Sequence, residues 1–241
     1  MRVREYWTFL KERCGSAVES LSKLCYYDTM LNVAVFGSGR GSNFKAMLDA
    51  IANDRLRGVH VVLVVSNNAD AGILDHARRD NIPVRHWSRK MYATDDAYCA
   101  AMLAALREAS VDLIVLAGFM KHMPAPIIAA FRHRILNIHP ALLPAFGGTG
   151  MYGLHVHRAV LASHEPLTGA TVHIVDEEYD HGPIVIQRTV PVLASDSPES
   201  LAARVLEMEH YILPEAIRLF AEDRITVVAG RTHVHIRSSQ E

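Results

Sequence analysis

The hydrophobic positions of this chain fall into short apolar runs separated by amphipathic stretches. Asn32 to Phe36, the β-branched Val59 to Val65, and Leu113 to Leu116 are such runs. Apolar runs this short, without polar alternation, predict strands buried on both faces. Between them, Asn43 to about Ala52, Gly72 to Asp80 and Asp95 to Ala109 carry helical spacing, and Ile82 to Val84 reads as extended. A further helix is expected from Leu154. The alternation predicts an α/β fold: a Rossmann-like, mostly parallel sheet with helices on both faces. After residue 168 the rhythm changes. Ala170 to Val175 and Ile184 to Val192 are strand-like with only a turn between them, so antiparallel pairing is expected in the C-terminal half. Ser197, with Pro198 behind it and Ser200 nearby, opens a last helix running to about Phe220. No internal repeat appears.

Residues 31–228 read as one domain, followed by a short tail over 229–241. Residues 1–30 form an extension of unknown role. Tyr6, Phe9 and Leu10, then Val18, Leu21 and Leu24, fit one face of a helix broken near Gly15. The stretch lacks the apolar centre of a secretory signal, and its acids fit a transit peptide poorly. Two readings stand: a functional extension, or a natural start at Met30.

Composition narrows the class. Half of the 241 residues are hydrophobic, enough for a sizeable core, and the net charge is −1. No basic stripe points to nucleic acid. Cys14, Cys25 and Cys99 are far apart and form no C-x-x-C, which fits a reducing, cytoplasmic setting. No apolar run reaches the roughly 18 residues needed to cross a membrane.

Three segments carry candidate chemistry. Asn137-Ile138-His139-Pro140 closes the short apolar run Arg134 to Leu136, at the carboxyl end of a strand, where α/β proteins bind ligands. On an extended chain Asn137 and His139 point the same way. An amide can hold an oxyanion and an imidazole can move a proton. Second, Gly37-Ser38-Gly39-Arg40-Gly41-Ser42-Asn43 joins the first strand to the first helix, where backbone N–H groups favour an anion. A dinucleotide loop fails here, because position 42 is Ser and the second strand ends Val65-Ser66-Asn67-Asn68 without a ribose-binding acid. No Gly-Lys-Ser/Thr follows either, so the loop suits a single phosphate. Third, His173 to Pro183 is dense in titratable groups, and Gly182-Pro183 fixes the loop behind Asp180, whose carboxylate could orient an imidazole. His155-Val156-His157 and His233-Val234-His235 offer a metal reading, but such pairs arise by chance among 14 histidines and lack a spaced third ligand.

In order, Gly39 to Asn43, Leu116-Ala117-Gly118-Phe119-Met120, Asn137 to Pro140 with Leu143-Pro144, His173 to Pro183, and Arg204 to His210 resemble the 10-formyltetrahydrofolate-dependent formyltransferases, in the branch that acts on glycinamide ribonucleotide. The resemblance runs from about Leu31 to about Arg224 and implies the formyltransferase fold. It implies Asn137, His139 and Asp180 as catalytic, Gly41, Ser42 and Asn43 at the substrate phosphate, and Glu209 at the ribose hydroxyls. It implies folate contacts from Met120, Lys121, His122, Met123, Val175, Asp176, Glu177 and Asn137. The co-substrate would be 10-formyltetrahydrofolate, with no metal. The enzyme would be a monomer or homodimer acting on small molecules, without nucleic acid or membrane partners. The chain departs from the pattern at Lys121-His122-Met123, which is more polar than usual, at Leu206, where a polar residue often stands, and at the glycine-rich Phe146 to Gly153. A hydrolase of the same donor, a formyltransferase acting on another amine such as the methionyl-tRNA enzyme, and a non-catalytic module are the rival readings. The hydrolase would need an N-terminal regulatory domain larger than 30 residues, the tRNA enzyme would need a C-terminal RNA-binding domain and a basic face, and a binding module would be expected to lose Asn137, His139 or Asp180, all of which are present.

Overall fold

The structure, a computed structural model, describes residues 30–234. The expectations placed on residues 1–29 and on His235 to Glu241 lie outside the described residues. Seven strands form one sheet in the order β3-β2-β1-β4-β5-β6-β7. They are β1 (Leu31–Phe36), β2 (Val59–Ser66), β3 (Val84–His86), β4 (Leu113–Leu116), β5 (Ile135–His139), β6 (Leu167–Ile174) and β7 (Ile184–Pro191). β1 to β5 pair in parallel. β6 pairs antiparallel with both β5 and β7. Helices α1 (Ser42–Ala52), α2 (Gly72–Arg79), α3 (Asp95–Glu108), α4 (Ala125–Ala130), α5 (Leu154–Ser163) and α6 (Pro198–Ala221) pack around it. β8 (Ile225–Val228) and β9 (Arg231–Val234) make a separate hairpin. The boundary expected after residue 228 falls inside its turn.

Side-chain alternation along β1 divides the core. Val33 and Val35 join Phe44, Met47, Leu201, Ile212 and Ile217 under α1 and α6. Ala34 and Phe36 join Met102, Leu106 and Ile127 under α3 and α4. This is why β1 is apolar from Val33 to Phe36: each face is covered by helices. α6 is set by its sequence: Ser197 accepts from the Ser200 N–H, the Ser200 hydroxyl accepts from the Ser197 N–H, and Pro198 fills the first turn.

Two strands differ by more than one residue from the sequence reading. The third strand starts at Val84, because the Ile82 N–H still closes α2 on the Ala77 carbonyl through left-handed Asn81. β6 begins at Leu167, where Leu167, Thr168 and Gly169 pair with Pro191, Val190 and Thr189. Cross-strand pairing there overrides local propensity.

The chain leaves β1 for β2 on one side, and β4 returns on the other. The loops after β1 and β4 therefore diverge at a switch point, which opens a crevice at the strands' carboxyl ends. They are tied together: the Ser38 N–H donates to the Gly118 carbonyl at 3.0 Å, and the Met120 N–H to Ser38 Oγ at 2.8 Å. On the far side, the β6–β7 loop is pinned by Gly182, where a Cβ would lie 1.9 Å from the Ile174 carbonyl oxygen. Gly182→Ala should therefore cost about 2 kcal/mol or more, seen as a lower urea midpoint at unchanged m-value.

Candidate active site

A cleft of about 830 Å³ runs along the carboxyl ends of the strands. Its centre is built by β5 and the two antiparallel strands. Asn137 and His139 lie in β5, opposite His173 and Thr171 of β6. Their alternation puts both on the cleft side, as the spacing predicted. The β6–β7 loop returns Asp180 to the same point, with its backbone in the left-handed region at φ 55°. Asp180 Oδ2 lies 3.5 Å from His139 Nδ1, and Oδ1 lies 3.6 Å from His173 Nε2. The Gly148 N–H donates to Oδ2 at 3.0 Å.

These contacts assign protons. His139 Nε2 donates to the Phe146 carbonyl at 2.8 Å, since a carbonyl can only accept. Neutral His139 thus keeps its lone pair on Nδ1, facing Asp180. His173 Nδ1 donates to the Ile174 carbonyl at 3.1 Å, which leaves Nε2 to accept from Asn137 Nδ2 at 3.1 Å. Asn137 Nδ2 also donates to Asp180 Oδ1 at 3.3 Å. Both amide hydrogens are therefore engaged. For Asn137 to meet an oxyanion, the longer bond to Asp180 must open, a rearrangement common between free and liganded sites.

Burial lowers the pKa of His139 below the usual histidine value, with the Asp180 carboxylate and the Phe146 carbonyl pulling the other way. Burial also pushes the Asp180 carboxyl up, but His173, His139 and the Gly148 N–H outweigh it and hold the group below the ordinary carboxylate range. The pair is thus set as a neutral base beside a fixed anion.

Glu209, on α6, borders the same cleft and is only 8% exposed. Its carboxyl is pushed up to about 7, first by burial, with a 2.7 Å bond from Asn43 Nδ2 to Oε2 opposing. Asn43 lines neither the cleft nor the pocket beside it. The expected phosphate donor is instead, through its side chain, a support for Glu209. Gly41 is demanded by packing: it has φ +80°, and a Cβ would lie 2.7 Å from Ile73 Cα. Of the three expected phosphate residues only Ser42 has a side chain at a cavity, a smaller pocket next to the cleft. The first turn of α1 carries no side-chain cap, so its N–H groups remain available to an anion.

The expected folate segments form the other end. Met120, Lys121, His122, Met123, Val175 and Asp176 line it, and Met123 is also core. Glu177 does not; Glu178 and Tyr179 take that place, and the Glu177 carbonyl receives His122 Nε2 at 3.2 Å. The His122 ring meets Tyr179 edge-on at 4.6 Å, so the polar departure at position 122 bridges the two walls. Sequence reasoning offered His157 only as half of a metal pair; it is 3% exposed, lines the cleft and has no partner on Nδ1. His155 points elsewhere and meets Tyr152, so the His155/His157 metal pair does not form. His173 and Gly148 sat inside segments already singled out, but nothing in their spacing tied them to Asp180.

The Glu209 shift makes a stability prediction. The folded-state value, about 7, lies above the ordinary 4.5, so the folded protein holds an extra proton between these values. Stability from this group is full below 4.5 and is lost as pH rises through 7. Glu209→Gln keeps an acceptor for Asn43 and never ionises. The unliganded variant should exceed the parent in stability by up to ~3 kcal/mol at pH 8, and the gain should vanish near pH 4.5. Urea unfolding at the two pH values measures this.

Known proteins resemble this chain in sequence and in fold. The family model described as formyl transferase matches residues 31–217. The chain is 45% identical over 194 residues to the chloroplastic phosphoribosylglycinamide formyltransferase of Arabidopsis thaliana, covering 80% of this chain and 66% of that protein. It is 37% identical over 195 residues to the phosphoribosylglycinamide formyltransferase of Escherichia coli (strain K12), covering 81% of this chain and 89% of that one. The crystal structure of glycinamide ribonucleotide transformylase 1 from Symbiobacterium toebii superposes with a TM-score of 0.79 at 41% identity, covering 86% of this chain and 94% of that one. The chain thus spans slightly less than two thirds of the plant relative's length. With the family pattern matched from β1 into α6 and the same fold around the cleft, the chain belongs to the formyl transferase family.

Proposed function

We propose that this chain transfers the formyl group of 10-formyltetrahydrofolate to the amine of glycinamide ribonucleotide, a step of de novo purine biosynthesis. The observation that carries the reading is the convergence of Asn137, His139 and Asp180 at the centre of one cleft, with Glu209 at one end and the Met120–Met123 wall at the other. The donor lies against that wall and the loop from Val175 to Asp180. The ribonucleotide lies along α6 towards the start of α1, its hydroxyls on Glu209.

The substrate amine attacks the formyl carbon, and a tetrahedral oxyanion forms. Asn137 turns one N–H from Asp180 to that oxygen, a donor worth about 3 kcal/mol in such sites. His139 Nδ1 takes the proton from the attacking nitrogen. Asp180 and the Phe146 carbonyl stabilise the imidazolium. The proton then passes to N10 as the carbon–N10 bond breaks, which releases tetrahydrofolate and the formamide. The cysteine usage favours a cytoplasmic enzyme, acting as a monomer or homodimer.

Purified protein should consume 10-formyltetrahydrofolate only when glycinamide ribonucleotide is present, followed by the absorbance change on donor deformylation. Loss of donor without any amine would instead make it a hydrolase. Asn137→Ala, His139→Ala and Asp180→Ala should each lower kcat by about 10²-fold or more while circular dichroism stays unchanged. Near-normal turnover in folded His139→Ala would falsify the mechanism.

The base must be neutral to work, so kcat/KM should fall at acid pH with a midpoint below the usual histidine value of 6.5. Asp180→Asn removes the anion that opposes burial and should move the midpoint lower still. A midpoint above 6.5 in the parent would rule out His139 as the base.

A further inference from the structure

The main cleft and the smaller pocket beside it share two lining residues, Arg40 and Leu206. Leu206 offers no hydrogen-bond donor. Ser42 is the one residue of the expected phosphate segment whose side chain reaches a cavity. It adds a hydroxyl but no charge, whereas a phosphate monoester is close to a dianion at neutral pH.

The other basic groups of the smaller pocket are committed or neutral. Lys45 Nζ pairs with Asp49 Oδ1 at 2.8 Å. His76 Nδ1 meets Arg79 at 3.1 Å. His210 has an unpartnered, buried Nε2, and burial lowers its pKa. Arg40 differs from them. Its guanidinium makes no hydrogen bond or ion pair with any described residue. Its backbone, by contrast, is fixed. The Gly39 carbonyl accepts from the Ile73 N–H at 3.1 Å, and at Gly72 a Cβ would lie 3.1 Å from the Arg40 carbonyl oxygen. An uncommitted cation is thus launched from a rigid point, two residues before the uncapped start of α1.

We propose that Arg40 is a specificity-determining residue that binds the phosphate of the acceptor substrate from the rim shared by the two cavities. The inference rests on the proposed ribonucleotide substrate and extends it to a residue outside the expected phosphate segment. A guanidinium offers the phosphate paired, charge-assisted donors. Neighbouring backbone N–H groups at the start of α1 complete the cradle.

The test compares the parent with Arg40→Gln, using glycinamide ribonucleotide and the dephosphorylated riboside at saturating donor. KM for the ribonucleotide should rise about tenfold, the value of one charge-assisted bond. The kcat, the donor KM and the riboside KM should stay within twofold, roughly the scatter of an unrelated surface change. Arg40→Lys should recover part of the loss. Leu206→Gln in the Arg40→Gln background should recover part of it through a new donor on the same rim. Ribose 5-phosphate should raise the melting temperature of the parent more than that of Arg40→Gln, a readout independent of turnover. If the parent binds ribose 5-phosphate in this Arg40-dependent way but does not formylate the ribonucleotide, the phosphate site stands and the functional reading falls. Unchanged ribonucleotide KM in Arg40→Gln, or an equal loss with the riboside, would overturn the role of Arg40.

Discussion

The buried carboxylate of Asp180 is the constraint on which the centre of this molecule turns. Its side chain is only 10% exposed, and an unpaired anion at that depth would be expelled or protonated. It stays ionised beside groups from separate parts of the chain: Asn137 Nδ2 of β5 and the Gly148 N–H of the glycine-rich loop donate to it, and the His139 and His173 rings of β5 and β6 lie within 3.6 Å. Each is fixed in turn, His139 by the Phe146 carbonyl and His173 by the Ile174 carbonyl. Moving any one of them would leave a buried polar group unsatisfied. The antiparallel turn of the sheet at β6 and β7 makes this possible. A purely parallel continuation would carry the chain away through a crossover helix instead of folding it back on the end of β5.

Glu209 shows the opposite solution in the same cleft. It too is buried, but the group that donates to it, Asn43 Nδ2, is a neutral amide, so burial wins and the carboxyl rises to about 7. Two acids in one cavity thus differ in charge through their surroundings alone. Asp180 is held as an anion beside the His139 imidazole. Glu209 is held near neutrality, able to accept from or donate to hydroxyl groups. The cost falls on stability at high pH, a common exchange at functional sites.

Much of the fold was legible because β1, β2, β4 and β5 lie under helices or between strands, and such burial demands apolar runs. α6 was readable to within one residue because Ser197, Pro198 and Ser200 act locally. The side of Asn137 and His139 was also local, a consequence of alternation in β5. β3 and the start of β6 were misplaced because a helix end and a long-range ladder decided them.

The chain by itself determined which groups are present and how neighbours along one element point: an amide and an imidazole on one side of a strand, a glycine loop before a helix, and a carboxylate behind a rigid Gly-Pro step. Tertiary structure decided which of these meet. Asn43 looked like a phosphate donor and instead supports Glu209, 166 positions away. His157 looked like half of a metal pair and became a buried cleft wall. Arg40 was one member of the glycine loop and became the uncommitted cation at a shared rim. Propensity and spacing act over a few residues, whereas desolvation and charge pairing depend on atoms brought together by the whole sheet.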